Sequence, residues 1–260
     1  MSEKQSYGVA TQLYLDLLKR TLTGSLFDPE PDANNENEVT FFREFIDHYI
    51  KGPAVSMLPL ARFDNLQSCI ANVVAENIPG DLIETGVWRG GATIFMRAML
   101  KALEVTDRTV WVADSFEGLP EPDAEKFPAE AKFHHSFVNV KVHNNLAVSL
   151  EEVQHNFRAY GVLDDSVKFL KGWFKDTLPS APIDKLAVLR LDGDYYESTI
   201  DALTNLYHKV SIGGYVIIDD FGEDSWTYCS KAVEDFRRER SIVEPLTKVD
   251  KGCVYWRRTR

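Results

Sequence analysis

From residue 81 onward, short apolar runs alternate with stretches of helical periodicity. Runs at residues 81–86, 109–114, 167–170, 186–192 and 215–220 have the length of strands. Helix-like segments lie between them at 91–104, 149–160, 197–207 and 229–239. This rhythm predicts a parallel sheet with helices on both faces, because a parallel crossover needs a helix-sized connection. Two more runs, 242–249 and 253–257, are joined only by Asp250-Lys251-Gly252, which predicts an antiparallel hairpin at the sheet's end. The expected fold class is α/β: a doubly wound, mostly parallel, seven-stranded Rossmann-like sheet with a terminal antiparallel hairpin.

The first 78 residues read differently. Helical periodicity at 11–26, 41–50 and 61–77 predicts an N-terminal helical extension that packs on the core and shapes part of its binding site. An acidic, Pro- and Asn-containing stretch at 28–37 interrupts it and is expected to be a loop. The organisation expected is thus 1–78 as extension and 79–260 as the main domain, with an irregular insertion at 120–148 long enough to act as a lid. The net charge of −11 argues against nucleic acid and anionic membranes as partners. No run approaches the roughly 20 apolar residues of a membrane span. Three cysteines without ligand spacing, and a polar N-terminus, point to a reducing cytoplasm.

Chemistry is expected where the first strand ends. Glu84-Thr85-Gly86-Val87-Trp88-Arg89-Gly90-Gly91 is a glycine turn between a strand and a helix start. In open α/β sheets ligands bind beyond the carboxyl ends of the strands. The Gly-x-Gly-x-x-Gly spacing of dinucleotide enzymes is broken by Trp88, which disfavours a NAD dehydrogenase. Glu84 suits an ammonium group better than a pyrophosphate. Asp114, ending the second strand, is placed to bind ribose hydroxyls, with Ser115 beside it.

Two later strands also end in acids: Asp192 and Asp194 after the fourth, Asp219 and Asp220 after the fifth. Carboxylates gathered at one sheet edge repel each other unless a cation joins them, and their hard oxygens suit Mg²⁺. Asp192, Asp219 and Asp220 are the expected metal ligands, and Asp194 the weaker candidate. Asp is also a common helix cap at strand ends.

These residues carry a family resemblance. Together with 13–21, 108–116, 172–177, 213–220 and 254–258, they make the chain similar to sugar O-methyltransferases of the macrocin O-methyltransferase type, over nearly its whole length. The resemblance implies the methyltransferase version of this sheet, S-adenosylmethionine and Mg²⁺ as cofactors, and an acceptor hydroxyl on a deoxysugar in antibiotic biosynthesis. The sugar, rhamnose-type by preference, is nucleotide-linked or already attached to an antibiotic. The resemblance further implies a homodimer or larger assembly. Residues expected at the cofactor are Ser56, Met57, Glu84, Thr85, Gly86, Trp88, Arg89, Gly90, Thr93, Asp114, Ser115, Gly172 and Trp173. Asp192 is the expected general base, with His143 of the insertion as the alternative. Two rival readings stand beside it: a metal-dependent glycosyltransferase using Asp192-Gly193-Asp194, and a non-catalytic S-adenosylmethionine-binding module.

Overall fold

The computed structural model describes residues 8–26, 31, 44–135, 145–222 and 227–260. The elements, in order, are α1 (Val9–Leu22), a π-helical turn (Ile46–Ile50), α2 (Leu60–Ala75), β1 (Asp81–Thr85) and α3 (Gly91–Ala102). Then come β2 (Val110–Asp114), α4 (Pro128–Phe133), α5 (Leu150–Ala159), β3 (Val167–Lys171), α6 (Phe174–Thr177) and β4 (Leu186–Leu191). The chain finishes with α7 (Tyr196–Leu206), β5 (Val210–Ile218), α8 (Thr227–Glu239), β6 (Thr247–Lys248) and β7 (Val254–Arg257).

All seven strands join one sheet in the order β3-β2-β1-β4-β5-β7-β6. Pairing is parallel from β3 to β5; β7 runs antiparallel to both β5 and β6. The order reverses between β1 and β4, so the crevice for a ligand opens beyond Thr85 and Leu191. Every residue of β4 is buried, as expected of a central parallel strand covered on both faces. One core forms under α1, α2, α3 and α5, where Leu15, Leu22, Phe63, Phe95 and Phe157 are fully buried. The other forms under α7 and α8 around Leu203, Leu206, Val233 and Trp256. The N-terminal helices therefore share the core of the sheet's first face.

The structure corrects three boundaries. β5 begins at Val210 and not near 215, because the register with β4 shifts between Leu186 and Val188. Gly213, at φ 90°, lets the strand bulge there. β6 shrinks to Thr247–Lys248 from the expected 242–249. Ile242 N–H closes α8 on the Arg237 carbonyl, and Pro245 has no N–H to give to a ladder. The insertion is not wholly irregular, since it carries α4 with proline in its first turn, a favoured start position. The loop expected at 28–37, apart from residue 31, lies outside the described residues. No described helix is long and apolar enough to cross a membrane. The C-terminal arginines serve the fold: Arg257 pairs with Glu76, and Arg258 donates to the carbonyls of Tyr207, His208 and Val210.

Candidate active site

A cleft of about 720 Å³ opens at the carboxyl ends of the strands. Its walls come from the β1 turn (Gly86, Trp88), the end of β2 (Asp114, Ser115), the residues after β3 (Trp173, Phe174) and the turn after β4 (Asp192, Gly193, Asp194). The insertion contributes Glu121, Lys126 and Phe127, and the N-terminal extension contributes Met57.

Gly86 shows why the first turn needs glycine. Its φ is 86°, and a Cβ there would sit 1.7 Å from the Asp192 carbonyl oxygen. The requirement is the close approach of the β1 turn to the β4 turn, which brings two ligand-lining segments together. Asp114 then fastens the loop: its carboxylate accepts from the N–H of Val87 and of Phe116, both at 2.7 Å. Burial raises its carboxyl above the ordinary range, and those two hydrogen bonds oppose the rise.

The other residues expected at the cofactor divide by position. Met57, Gly86, Trp88, Asp114, Ser115 and Trp173 line the cleft. Thr93 is fully buried and donates to the Gly90 carbonyl, which begins α3. Ser56 lies buried and accepts from Leu58 N–H. Gly172, at φ 136°, turns the chain after β3 toward Trp173. Arg89 faces away from the cleft into the N-terminal extension. Its guanidinium donates to the carbonyls of Tyr49 (3.1 Å), Ile50 (3.0 Å) and Ala54 (2.8 Å), fixing the segment that leads to Met57.

Glu84 and Thr85 are buried below the cleft floor. Glu84 is 2% exposed and paired with Arg190, itself 1% exposed. Arg190 also reaches Asp192 Oδ2 at 3.0 Å and Asp219 Oδ1. Asp219 is held from its other side by Arg62 at 2.7 Å, and Arg62 forks onto Asp250 at 2.7 and 3.0 Å. Burial pushes the Glu84 carboxyl up to about 8 even beside Arg190. Burial acts on Asp219 as well, but two guanidiniums hold that carboxyl below its ordinary value.

This network decides which acids can meet. Carboxylate oxygens of Asp192, Asp194 and Asp220 lie within 4.8 Å of one another. Asp219 is committed to Arg190 and Arg62, whereas Asp194, the weaker candidate from sequence, stands in the group. Asp192 and Asp219 both contact Arg190, whereas Asp220 meets the Asp194 backbone across the two turns. Asp194 occupies the left-handed region (φ 60°), which aspartate tolerates better than most residues, and its N–H donates to Asp220 Oδ2 at 3.0 Å. Burial, then repulsion from the neighbouring acids, raises the Asp194 and Asp220 carboxyls well above the ordinary range. The same causes push Asp192 up to about 6. Among the described residues, Asp194 and Asp220 have no Lys or Arg ion pair. His143 lies outside the described residues.

A sheet of this order, with an antiparallel seventh strand, a glycine turn after β1 and an acid at the end of β2, defines an S-adenosylmethionine-dependent methyltransferase. Residues 47–258 match the family model described as Macrocin-O-methyltransferase (TylF), and the chain belongs to that family. It is 47% identical, over 96% of its length and 95% of the relative's, to demethyldecarbamoylnovobiocin O-methyltransferase of Streptomyces niveus. It is 48% identical to 8-demethyl-8-(2,3-dimethoxy-alpha-L-rhamnosyl)-tetracenomycin-C 4'-O-methyltransferase of Streptomyces olivaceus, covering 96% of this chain and 94% of that one. Among solved structures, the O-methyltransferase NovP matches with a TM-score of 0.81 at 47% identity, covering 96% of this chain and all of NovP. The chain is thus an O-methyltransferase. The glycosyltransferase reading falls, because Asp192-Gly193-Asp194 is the β4 turn of a methyltransferase sheet.

Proposed function

We propose that this enzyme transfers a methyl group from S-adenosylmethionine to a hydroxyl of a deoxysugar already attached to an antibiotic-type aglycone, with a divalent cation at Asp192, Asp194 and Asp220. The observation that carries this reading is the carboxylate trio at the wall of the cleft. Three oxygen donors with raised carboxyls, of which only Asp192 meets a guanidinium, are a site that a hard cation such as Mg²⁺ would relieve. When bound, S-adenosylmethionine supplies the sulfonium methyl, and the cation supplies Lewis acidity toward the acceptor oxygen.

The chain's own residues divide the remaining work. Asp192 and Asp194 line the cleft, while Asp220 is 5% exposed behind them. Asp192 Oδ2 accepts from Arg190, and that charge-assisted contact reduces its basicity. Asp194 has no such partner among the described residues, so we assign all three acids as ligands and give Asp194, through its second carboxylate oxygen, the additional role of base for the acceptor's proton. Asp114 and Ser115 would hold the ribose, Trp173 the adenine, and Met57 the methyl-donor end of the cofactor; all four line the cleft. Trp88 closes the loop side, its indole N–H donating to the Asn145 carbonyl at 2.8 Å.

The charge of the cleft supports an attached sugar over a nucleotide-linked one. Asp114, Glu121, Asp192, Asp194, Glu197 and Asp201 line it against Lys126 and Lys175. That excess of acids disfavours a dianionic pyrophosphate and admits a neutral glycoside. The two relatives named above act, by their names, on a novobiocin precursor and a rhamnosyl-tetracenomycin.

The test is incubation with S-adenosylmethionine and a panel of desmethyl antibiotic glycosides and nucleotide-linked deoxysugars, with Mg²⁺ or with EDTA. A one-methyl mass gain in a glycoside, lost with EDTA, is expected. Methylation of the nucleotide sugars alone would overturn the acceptor assignment, and turnover untouched by EDTA would overturn the metal assignment.

A further inference from the structure

Helix α7 begins directly after the acid turn, and it begins without a cap of its own. Its N-cap residue, Tyr195, makes no side-chain hydrogen bond to the helix. The first N–H of the helix, that of Tyr196, instead donates to Oε1 of Glu130 at 2.9 Å. Glu130 lies on α4, in the insertion, and is 2% exposed. A carboxylate at a helix N-terminus satisfies an orphan donor and complements the helix dipole. Here it arrives from another element, so the cap also docks the insertion. Two neighbouring contacts reinforce the docking: His134 Nδ1 lies 2.7 Å from the Tyr195 hydroxyl, and the rings of Phe127 and Tyr196 stack at 4.9 Å.

The turn so held is under strain. Asp194 is left-handed, and the next N–H, of Tyr195, closes tightly on the Gly193 carbonyl at 2.6 Å. Such a conformation persists only where its surroundings over-determine it. Upstream, Glu121, Lys126 and Phe127 of the same insertion line the cleft. One short segment therefore touches both the space for the acceptor and the helix that fixes Asp194.

We propose that Glu130 is a positioning residue for Asp194: by capping α7 from the insertion, it holds the acid turn in its metal-binding arrangement. The proposal rests on the reading that Asp194 is a cation ligand. Supporting groups behind metal ligands typically affect metal affinity about 10-fold or more.

The test measures Mn²⁺ affinity by electron paramagnetic resonance, and S-adenosylhomocysteine affinity by calorimetry, in the wild type, Glu130→Ala, Glu130→Gln and Asp194→Asn. Glu130→Ala is expected to weaken Mn²⁺ by roughly 10-fold while leaving S-adenosylhomocysteine binding unchanged. Glu130→Gln is expected to restore most of that loss, because an amide oxygen still accepts from Tyr196 N–H. Wild-type Mn²⁺ affinity in Glu130→Ala, beside a loss in Asp194→Asn, would overturn this proposal alone. Equal losses in the Gln and Ala variants would overturn it too, by showing that charge matters and the cap does not. Unweakened binding in Asp194→Asn would bring down the ligand reading and this proposal with it. Should Glu130→Ala not fold, His134→Ala, which cuts the ties to Tyr195 and to Glu121 and leaves the Glu130 cap in place, is expected to weaken Mn²⁺ in the same direction; no change there would overturn the proposal.

Discussion

Asp194 and Asp220 come from turns after adjacent parallel strands, and the backbone N–H of the first donates to the Oδ2 of the second at 3.0 Å. That bond keeps two acids close despite their repulsion, and in the absence of a cation the closeness costs stability. Asp220→Asn keeps an acceptor for the Asp194 N–H and removes one charge. It is expected to raise the melting temperature of metal-free protein by a few degrees, since roughly 1 kcal/mol shifts a chain of this size by about 2–4 °C. Mg²⁺ at 100 times its dissociation constant is expected to stabilise the wild type by about 2.7 kcal/mol and the variant by far less. Thermal melts with Mg²⁺ and with EDTA read both effects; equal Mg²⁺ shifts in the two proteins would remove Asp220 from the site.

Arg190 is the single cation inside a strand whose other residues are all apolar, and it answers Glu84, Asp192 and Asp219 at once. Arg190→Met strips these buried acids of their shared partner. Breaking a buried pair from one side typically costs about 3–5 kcal/mol. Urea unfolding is expected to show a loss of that size, and adding Glu84→Gln to Arg190→Met is expected to recover part of it. A loss under about 1 kcal/mol, the range of exposed ion pairs, would show that the network does not hold the sheet ends together.

In the proposed cofactor site, Asp114 would act through the glycine turn as well as directly. Asp114→Ala orphans the N–H groups of Val87 and Phe116, at about 1–3 kcal/mol for each buried donor left unpaired. Calorimetric titration is expected to show S-adenosylhomocysteine binding weakened by roughly 100-fold or more, the equivalent of about 2.7 kcal/mol. Asp114→Asn, which keeps one acceptor, is expected to fall between. Wild-type affinity in the alanine variant would exclude Asp114 from both roles.

Glu130 gives the fold a pH dependence of known sign. Burial, with repulsion from Glu197, outweighs the hydrogen bond from Tyr196 N–H and pushes its carboxyl up to about 7 from 4.5. The native state therefore holds this proton more tightly than the unfolded chain. The contribution is fully present below pH 4.5 and is lost as pH rises through about 7. Its size is on the order of 1–2 kcal/mol, since each tenfold gain in proton affinity is worth about 1.4 kcal/mol and screening by nearby solvent removes part of it. Subtracting the stability profile of Glu130→Gln from that of the wild type is expected to show this decline between pH 4.5 and 7. A flat difference would mean that Glu130 carries no raised carboxyl.

Much of the architecture was legible in local pattern. Strand and helix periods placed β1 to β5 and α2, α3, α5, α7 and α8 within a few residues, the start of β5 excepted. The boundaries that moved did so where backbone chemistry overrode apolar pattern: a glycine bulge extended β5, and Pro245 curtailed β6. The acids at the strand ends were legible for the same reason, since a parallel sheet must deliver the residues after its strands to one edge.

The site's membership was only partly legible. The alternation that sorts side chains along a strand stops at Leu191 and Ile218, so spacing did not decide which of Asp192, Asp194, Asp219 and Asp220 gather together. An arginine in the middle of the apolar run Leu186–Leu191 also signalled a buried ion pair, because a charge there needs partners. It could not say which. Glu84, Asp219 and Asp192 meet Arg190 through the lateral order of β1, β4 and β5, and Arg62 and Asp250 join from α2 and the terminal hairpin. Glu130 caps a helix that starts 66 residues later. By itself, the sequence determined the elements, the turn that needs glycine and the sheet edge that gathers acids, since each follows from spacing along one strand or helix. Only the tertiary structure decided which carboxylates stay free and which are neutralised, because a buried charge takes its partner from whichever strand or helix packs beside it.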